Sequence, residues 1–291
     1  MNYIDLRSLI RENTNLDFKI ASKNLQNILF NLSRTDVLPL ITEISIIPED
    51  IGHDSSEEKL YTKVSDILFA KALKEMNFEV TVLSERSNCA DIIAQSRYHN
   101  YSLVGDAKAF RLSRTTKNPK DFKVDSMVHW REDNDFSVLA CPYYQYPKNN
   151  SQIYRSALQE NVSLFSWEYL YIIITENIHE SEDVDLRELW NQSYNIMQQT
   201  NMADANKCFI QRQDVNIREI IGLTEEQFGD HFNNIKSSIV YRGNEEIRYY
   251  ESEIARIQQL NREDAIRELL VSMKLDSKIE TIRKFINQVQ R

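Results

Sequence analysis

Two carboxylates and a lysine stand in the spacing Asp-x14-Asp-x-Lys, as Asp91, Asp106 and Lys108. Asp91 opens the short apolar run Asp91-Ile92-Ile93-Ala94, and Asp106 lies near the end of Ser102-Leu103-Val104-Gly105-Asp106-Ala107-Lys108. Both runs read as strands. Positions i and i+2 of a strand share a face, so Asp106 and Lys108 project together while Ala107 turns away. If the two strands pair antiparallel, Asp91 reaches the same point as Asp106. Carboxylates that converge repel unless a proton or a cation lies between them. Hard oxygen donors suit Mg²⁺, whose shell is completed by water and phosphate oxygens. A nearby lysine can orient or deprotonate a water and stabilise charge on phosphate. These are the parts of metal-assisted phosphodiester hydrolysis. Alone the spacing is a weak signal, because solvated acids at strand ends are common.

The residues that follow strengthen it. Lys108, Arg111, Arg114, Lys117, Lys120 and Lys123 fall within sixteen residues, against the single acid Asp121. The whole chain of 291 residues carries 35 Lys and Arg against 44 Asp and Glu, a net charge of −9. An acidic body therefore bears one basic stretch. That argues against bulk attraction for nucleic acid and for a local phosphate-following surface. The competing reading is a solvated loop balanced by acids elsewhere.

The elements that must position these groups are legible in outline. Residues 17–33 carry apolar side chains at helical spacing. A second helix is expected over about 56–77, with Ser55 and Glu58 as a capping box and Leu60, Val64, Ile67, Leu68 and Leu73 as its apolar stripe. Phe78, Val80 and Val82 alternate with polar residues as a strand. A helix is expected from Asp121 to Arg131, a strand over Phe136–Ala140, a helix over 151–160 and a strand over Val162–Phe165. The last three suggest a parallel β-α-β pair. Beyond about 183 the pattern is helical, with charged amphipathic helices at 245–260, 263–273 and 278–289. One α/β domain spanning 1–291 is expected. Its catalytic and DNA-reading core covers about 55–175, and a helical elaboration about 183–291.

Other chemistries are disfavoured. Cys89, Cys141 and Cys208 form no CxxC pair, which fits a reduced cytoplasm, and Cys89 and Cys141 read as small buried side chains. His53, His99, His129, His179 and His231 form no cluster. There is no glycine-rich phosphate loop, so no nucleotide cofactor is expected. The longest apolar run, from Tyr169 to Ile174, is far too short for a membrane span, and no signal pattern opens the chain. Tyr143-Tyr144-Gln145-Tyr146-Pro147 reads as a packed or dimer-interface loop, with stacking on DNA as the other reading.

The run from Gly105 to Val124 closely resembles type II restriction endonucleases of the HindIII kind. So do Ser56-Glu57-Glu58-Lys59-Leu60, the run Asn161 to Glu168, and Ser277-Lys278-Ile279-Glu280-Thr281-Ile282. The likeness is dense over about 57–170, thins between about 180 and 260, and returns near the end. It implies a restriction-endonuclease-like α/β fold of the EcoRI-like branch: a mixed five-stranded sheet flanked by helices, with additional C-terminal helices. It also implies the PD-(D/E)XK motif, with Asp91 as first acid, Asp106 as second and Lys108 as the lysine. Ala90 stands where the motif has proline. Glu58 matches an acid that members of the fold carry on the preceding helix, a role that competes with its capping one. Glu85 is a further, lower-ranked acid.

The resemblance further implies a homodimer in the bacterial cytoplasm, acting on double-stranded DNA at the palindrome AAGCTT. It cuts between the adenines to leave 5′ overhangs, and is paired functionally with an adenine methyltransferase. Asp91, Asp106 and the Ala107 carbonyl would hold Mg²⁺, one or two per site, and Lys108 would position the water. Asn118, Lys120, Asp121 and Lys123 offer donors and acceptors suited to base edges, Arg111 and Arg114 could equally hold phosphates, and Lys117 is a further DNA-binding candidate. A repair or junction nuclease of the same fold, and a catalytically dead DNA-binding protein, are the competing readings.

Overall fold

The computed structural model describes residues 1–83, 89–114, 119–147, 151–274 and 278–284. Three helices open the chain: α1 (Tyr3–Asn13), α2 (Phe18–Phe30) and α3 (Arg34–Glu43). The long α4 (Ser56–Glu75) follows, then β1 (Phe78–Val82), β2 (Ile92–Ser96) and β3 (Ser102–Ala107). Next come α5 (Pro119–Phe122), α6 (Val124–Arg131), β4 (Phe136–Cys141), α7 (Gln152–Glu160), β5 (Val162–Ser166) and α8 (Trp167–Thr175). The remainder is helical: α9 (Arg187–Trp190), α10 (Gln192–Gln199), α11 (Met202–Lys207), α12 (Phe209–Ile220), α13 (Glu225–Gln258) and α14 (Arg262–Ser272). Two compact units result, Met1–Tyr241 and Arg242–Arg291.

The strands lie in the order β1-β2-β3-β4-β5. The pairs β1/β2 and β2/β3 are antiparallel, and β3/β4 and β4/β5 are parallel. This mixed five-stranded sheet flanked by helices is the restriction-endonuclease-like α/β fold. Alternation along β3 sends Leu103 and Ala107 into a core shared with α4, and Val104 into a second core with Phe122, Met127 and Ile153. β4 and β5 are buried at every position, as parallel strands covered on both faces must be. Gly105 is required by α4: a Cβ there would lie 2.6 Å from Phe69 Cε1 and 2.7 Å from Ile92 Cγ1.

Two expectations are corrected. The helix over Asp121–Arg131 is broken into α5 and α6, because Lys123 takes a left-handed backbone at φ 48°. The helix at 245–260 is the end of the 34-residue α13, which begins at Glu225. Residues 278–284 are helical as expected, and 285–289 lie outside the described residues. Among the described residues no helix is long and apolar enough to cross a membrane.

Candidate active site

The antiparallel register of β2 and β3 brings the acids together. Ile92 stands opposite Gly105, and the Asp91 amide donates to the Gly105 carbonyl at 3.0 Å. Asp91 therefore stands beside Asp106, close enough for its carboxyl to feel the Asp106 charge. Asp106 is fully buried, its Oδ2 pairs with Lys108 Nζ, and its Oδ1 meets no nitrogen or hydroxyl donor among the described residues. The Lys108 amide is itself fixed to the Ala140 carbonyl of β4 at 2.8 Å, and the Lys108 carbonyl receives Trp167 Nε1 at 2.9 Å. The three residues line one cleft of about 610 Å³, with Ala107, Glu58 and Lys123 on its walls.

The electrostatics follow from burial. Removal from water raises the Asp91 carboxyl, and contact with Asp106 raises it further, against the pull of Lys108. Burial works against the charge on Lys108, but the Asp106 carboxylate outweighs it, so the ammonium is held above its ordinary value. Neighbouring carboxyls, one oxygen without a donor and a clamped ammonium form an oxygen-rich socket that wants a cation. The donor set fits a hard divalent ion completed by water and phosphate, rather than a closed cage. Among the described residues no group of three or more His, Cys, Asp or Glu stands close enough together to hold a metal ion by itself.

A second acid of α4 on this cleft, beside Glu58, is Asp66, which sequence spacing did not single out. Asp66 is 4% exposed on α4 and lines the same cleft. Burial first, and the charges of Asp91 and Asp106 after it, push its carboxyl well up, while Lys63 opposes them. Glu58 stands on the cleft wall but is otherwise engaged. Ser55 Oγ caps the Glu58 amide at 3.1 Å, yet the reciprocal half of the capping box is missing. Glu58 Oε2 takes the Asp54 amide at 2.7 Å and Oε1 takes the Arg111 guanidinium at 2.6 Å.

The basic stretch divides. Arg111 is turned inward, 6% exposed, and also donates to the Pro48 carbonyl at 2.5 Å and the Ile51 carbonyl at 2.7 Å. Arg114 is half-exposed and pairs with Asp121 at 2.7 Å. Lys120 and Lys123 are exposed, and Lys123 lines both the Asp91–Asp106 cleft and a neighbouring hollow of about 440 Å³ that includes Lys120. Lys117 and Asn118 lie outside the described residues, as does Glu85. The tyrosine loop packs: Tyr146 is buried and stacked on Phe122, and Tyr143 donates to Asp214, while Tyr144 stays exposed. Cys141 is buried as expected, whereas Cys89 is half-buried on the cleft wall.

The family model described as HindIII restriction endonuclease matches residues 3–286. Over 285 residues the chain is 39% identical to the type II restriction enzyme HindIII of Haemophilus influenzae, covering 98% of this chain and 95% of that protein.

Proposed function

The chain belongs to the HindIII restriction endonuclease family and is a site-specific deoxyribonuclease, and from that premise we propose that it is a Mg²⁺-dependent enzyme that cuts AAGCTT between the two adenines. The observation that carries the catalytic part is the meeting of Asp91 and Asp106 in one cleft with Lys108 clamped to Asp106. Asp91, Asp106 and the Ala107 carbonyl would hold the divalent ion, which when bound would polarise the scissile phosphate and lower the cost of forming hydroxide. Lys108 holds the attacking water and stabilises charge on phosphate. Water attacks phosphorus in line, the P–O3′ bond breaks, and the products are a 3′-hydroxyl and a 5′-phosphate.

Recognition is assigned to the stretch after β3. Lys120, Asp121 and Lys123 occupy the α5–α6 turn beside the cleft. With Asn118, Lys120 and Asp121 supply the base-reading types, while Lys123, which also lines the cleft itself, joins Arg114 and Lys117 as a phosphate contact. Arg111 is withdrawn from that set, because three acceptors already hold its guanidinium. A palindrome presents the same edges to two copies related by a two-fold axis, so the acting form is a homodimer. Such an enzyme in a bacterial cytoplasm needs a companion adenine methyltransferase to protect the host's own sites.

The test is digestion of plasmid DNA with Mg²⁺. Discrete fragments mapping to AAGCTT, with protection by adenine methylation of the site, are expected. Asp106→Ala is expected to abolish cleavage while specific binding persists. Cleavage elsewhere, or cleavage retained by that variant, overturns the assignment. Fragments without a common sequence would favour the repair-nuclease reading.

A further inference from the structure

Lys63 and Asp66 sit one turn apart on α4 and are 7% and 4% exposed. Charged residues so deeply buried are costly unless paired or put to use. Lys63 Nζ lies 3.6 Å from Asp66 Oδ2 and donates to the Leu83 carbonyl at 2.8 Å. The Leu83 amide in turn donates to the Asp91 carbonyl at 2.9 Å, and the Asp91 amide to the Gly105 carbonyl at 3.0 Å. A continuous set of bonds thus runs from the side chain of Lys63 to the backbone of the first catalytic acid. Asp66 differs from Lys63 in having something left over. Its Oδ1 is buried, meets no donor among the described residues, and belongs to a side chain that lines the catalytic cleft.

We propose that Lys63 and Asp66 are a positioning pair, in which Lys63 fixes Asp91 through Leu83 and Asp66 offers its bare oxygen to the water shell of the cation held by Asp91 and Asp106. This rests on the nuclease reading of the cleft. Neither residue touches the reacting atoms. Asp66 acts on how tightly the hydrated cation is kept, and Lys63 on where the Asp91 carboxylate points. The two roles separate in experiment, since one changes cation affinity and the other changes the rate at saturating cation.

The experiment titrates Mn²⁺, followed by electron paramagnetic resonance, into the full chain bound to a duplex carrying AAGCTT with a non-cleavable phosphate analogue at the scissile position. Cleavage is then measured against Mg²⁺ concentration. Asp66→Asn is expected to weaken Mn²⁺ binding fivefold or more and to raise the half-saturating Mg²⁺ by a similar factor, with kcat at saturation within threefold. Lys63→Met is expected to lower kcat at saturating Mg²⁺ tenfold or more with KM for DNA within threefold, and Lys63→Arg to recover most of that loss. Unchanged Mn²⁺ affinity in Asp66→Asn overturns the role of Asp66, and equal kcat in Lys63→Met and Lys63→Arg overturns that of Lys63. Thermal unfolding shows that each variant is folded; if Asp66→Asn is not, the Lys63→Met and Lys63→Arg comparison decides. A wild type that binds no Mn²⁺ overturns the metal-dependent reading of the cleft itself, an outcome distinct from a variant that matches the wild type.

Discussion

Arg111 meets Glu58 at 2.6 Å beneath the cleft wall, and the same guanidinium takes the carbonyls of Pro48 and Ile51. The segment leaving the catalytic strand is thereby tied to the turn that leads into α4. Nearby, Glu49 receives both the amide and the hydroxyl of Ser113 at 2.8 Å. A buried arginine with three acceptors is an anchor, because removing it strands two carbonyls and a carboxylate in a poorly solvated place.

Arg111→Ala is expected to destabilise the protein by about 3 kcal/mol, the usual cost of breaking a buried pair. Its binding to DNA should keep the salt dependence of the wild type. Urea unfolding and binding measured across a salt series check the two halves. A flattened salt slope would put Arg111 on phosphate after all.

Gly105→Ala tests the approach of α4 to β3. The added methyl would sit 2.6 Å from the Phe69 ring and within 2.8 Å of Ile92 Cδ1, both core side chains with no free end to swing. Overpacking of this kind costs about 1–3 kcal/mol. Because Asp106 follows immediately, the shift that relieves the clash should also lower cleavage. Chemical denaturation and the cleavage rate are the measurements, and wild-type values in both would show that α4 yields freely.

These contacts mark how far the chain could be read from composition and spacing. The pairing of Asp91 with Asp106 was legible because acids flank two apolar runs short enough to be strands. So was the Asp106–Lys108 face, which follows from the two-residue period alone. Asp66 was not. A helical stripe through Leu60, Val64, Ile67 and Leu68 assigns Lys63 and Asp66 to the solvent side, whereas α4 is buried nearly all round from Leu60 to Leu73. The break at Lys123 was hidden for a different reason: it carries neither glycine nor proline, and a lysine at positive φ leaves no trace in periodicity. The inward turn of Arg111 depends on carbonyls some sixty residues earlier in the chain, which no local pattern reports.

Glu168 gives a pH prediction away from the Asp91–Asp106 cleft. It is buried at the start of α8, receives the Tyr143 amide at 2.9 Å, and burial pushes its carboxyl up to about 7. Because the folded-state value lies above the ordinary 4.5, the protonated form is favoured by folding. Its contribution to stability is whole below about pH 4.5 and is lost as pH rises towards 7. The loss amounts to about 3 kcal/mol above that point. Glu168→Gln keeps the acceptor and cannot ionise. It should match the wild type near pH 4.5 and melt at a higher temperature at pH 8. Melting curves across that range check it, and a constant difference in Tm would show that Glu168 stays ionised when folded.

Lys123 is where the basic stretch and the catalytic cleft join. It lines the cleft and the adjoining hollow, and its ammonium lies 5.4 Å from the centre of the Trp130 ring. An exposed cation there is placed to follow a phosphate into the site, and neutralising one phosphate contact reduces the salt slope of binding by about one. Lys123→Ala should therefore weaken binding to cognate and unrelated duplexes alike and flatten the slope by that amount. The fold should be little affected, because alanine at φ 48° carries the same backbone cost as lysine. Anisotropy titrations over a salt series on both duplexes separate the possibilities. Weakening confined to AAGCTT would make Lys123 a reader of bases, and an unchanged slope would leave it only as the lid on Trp130.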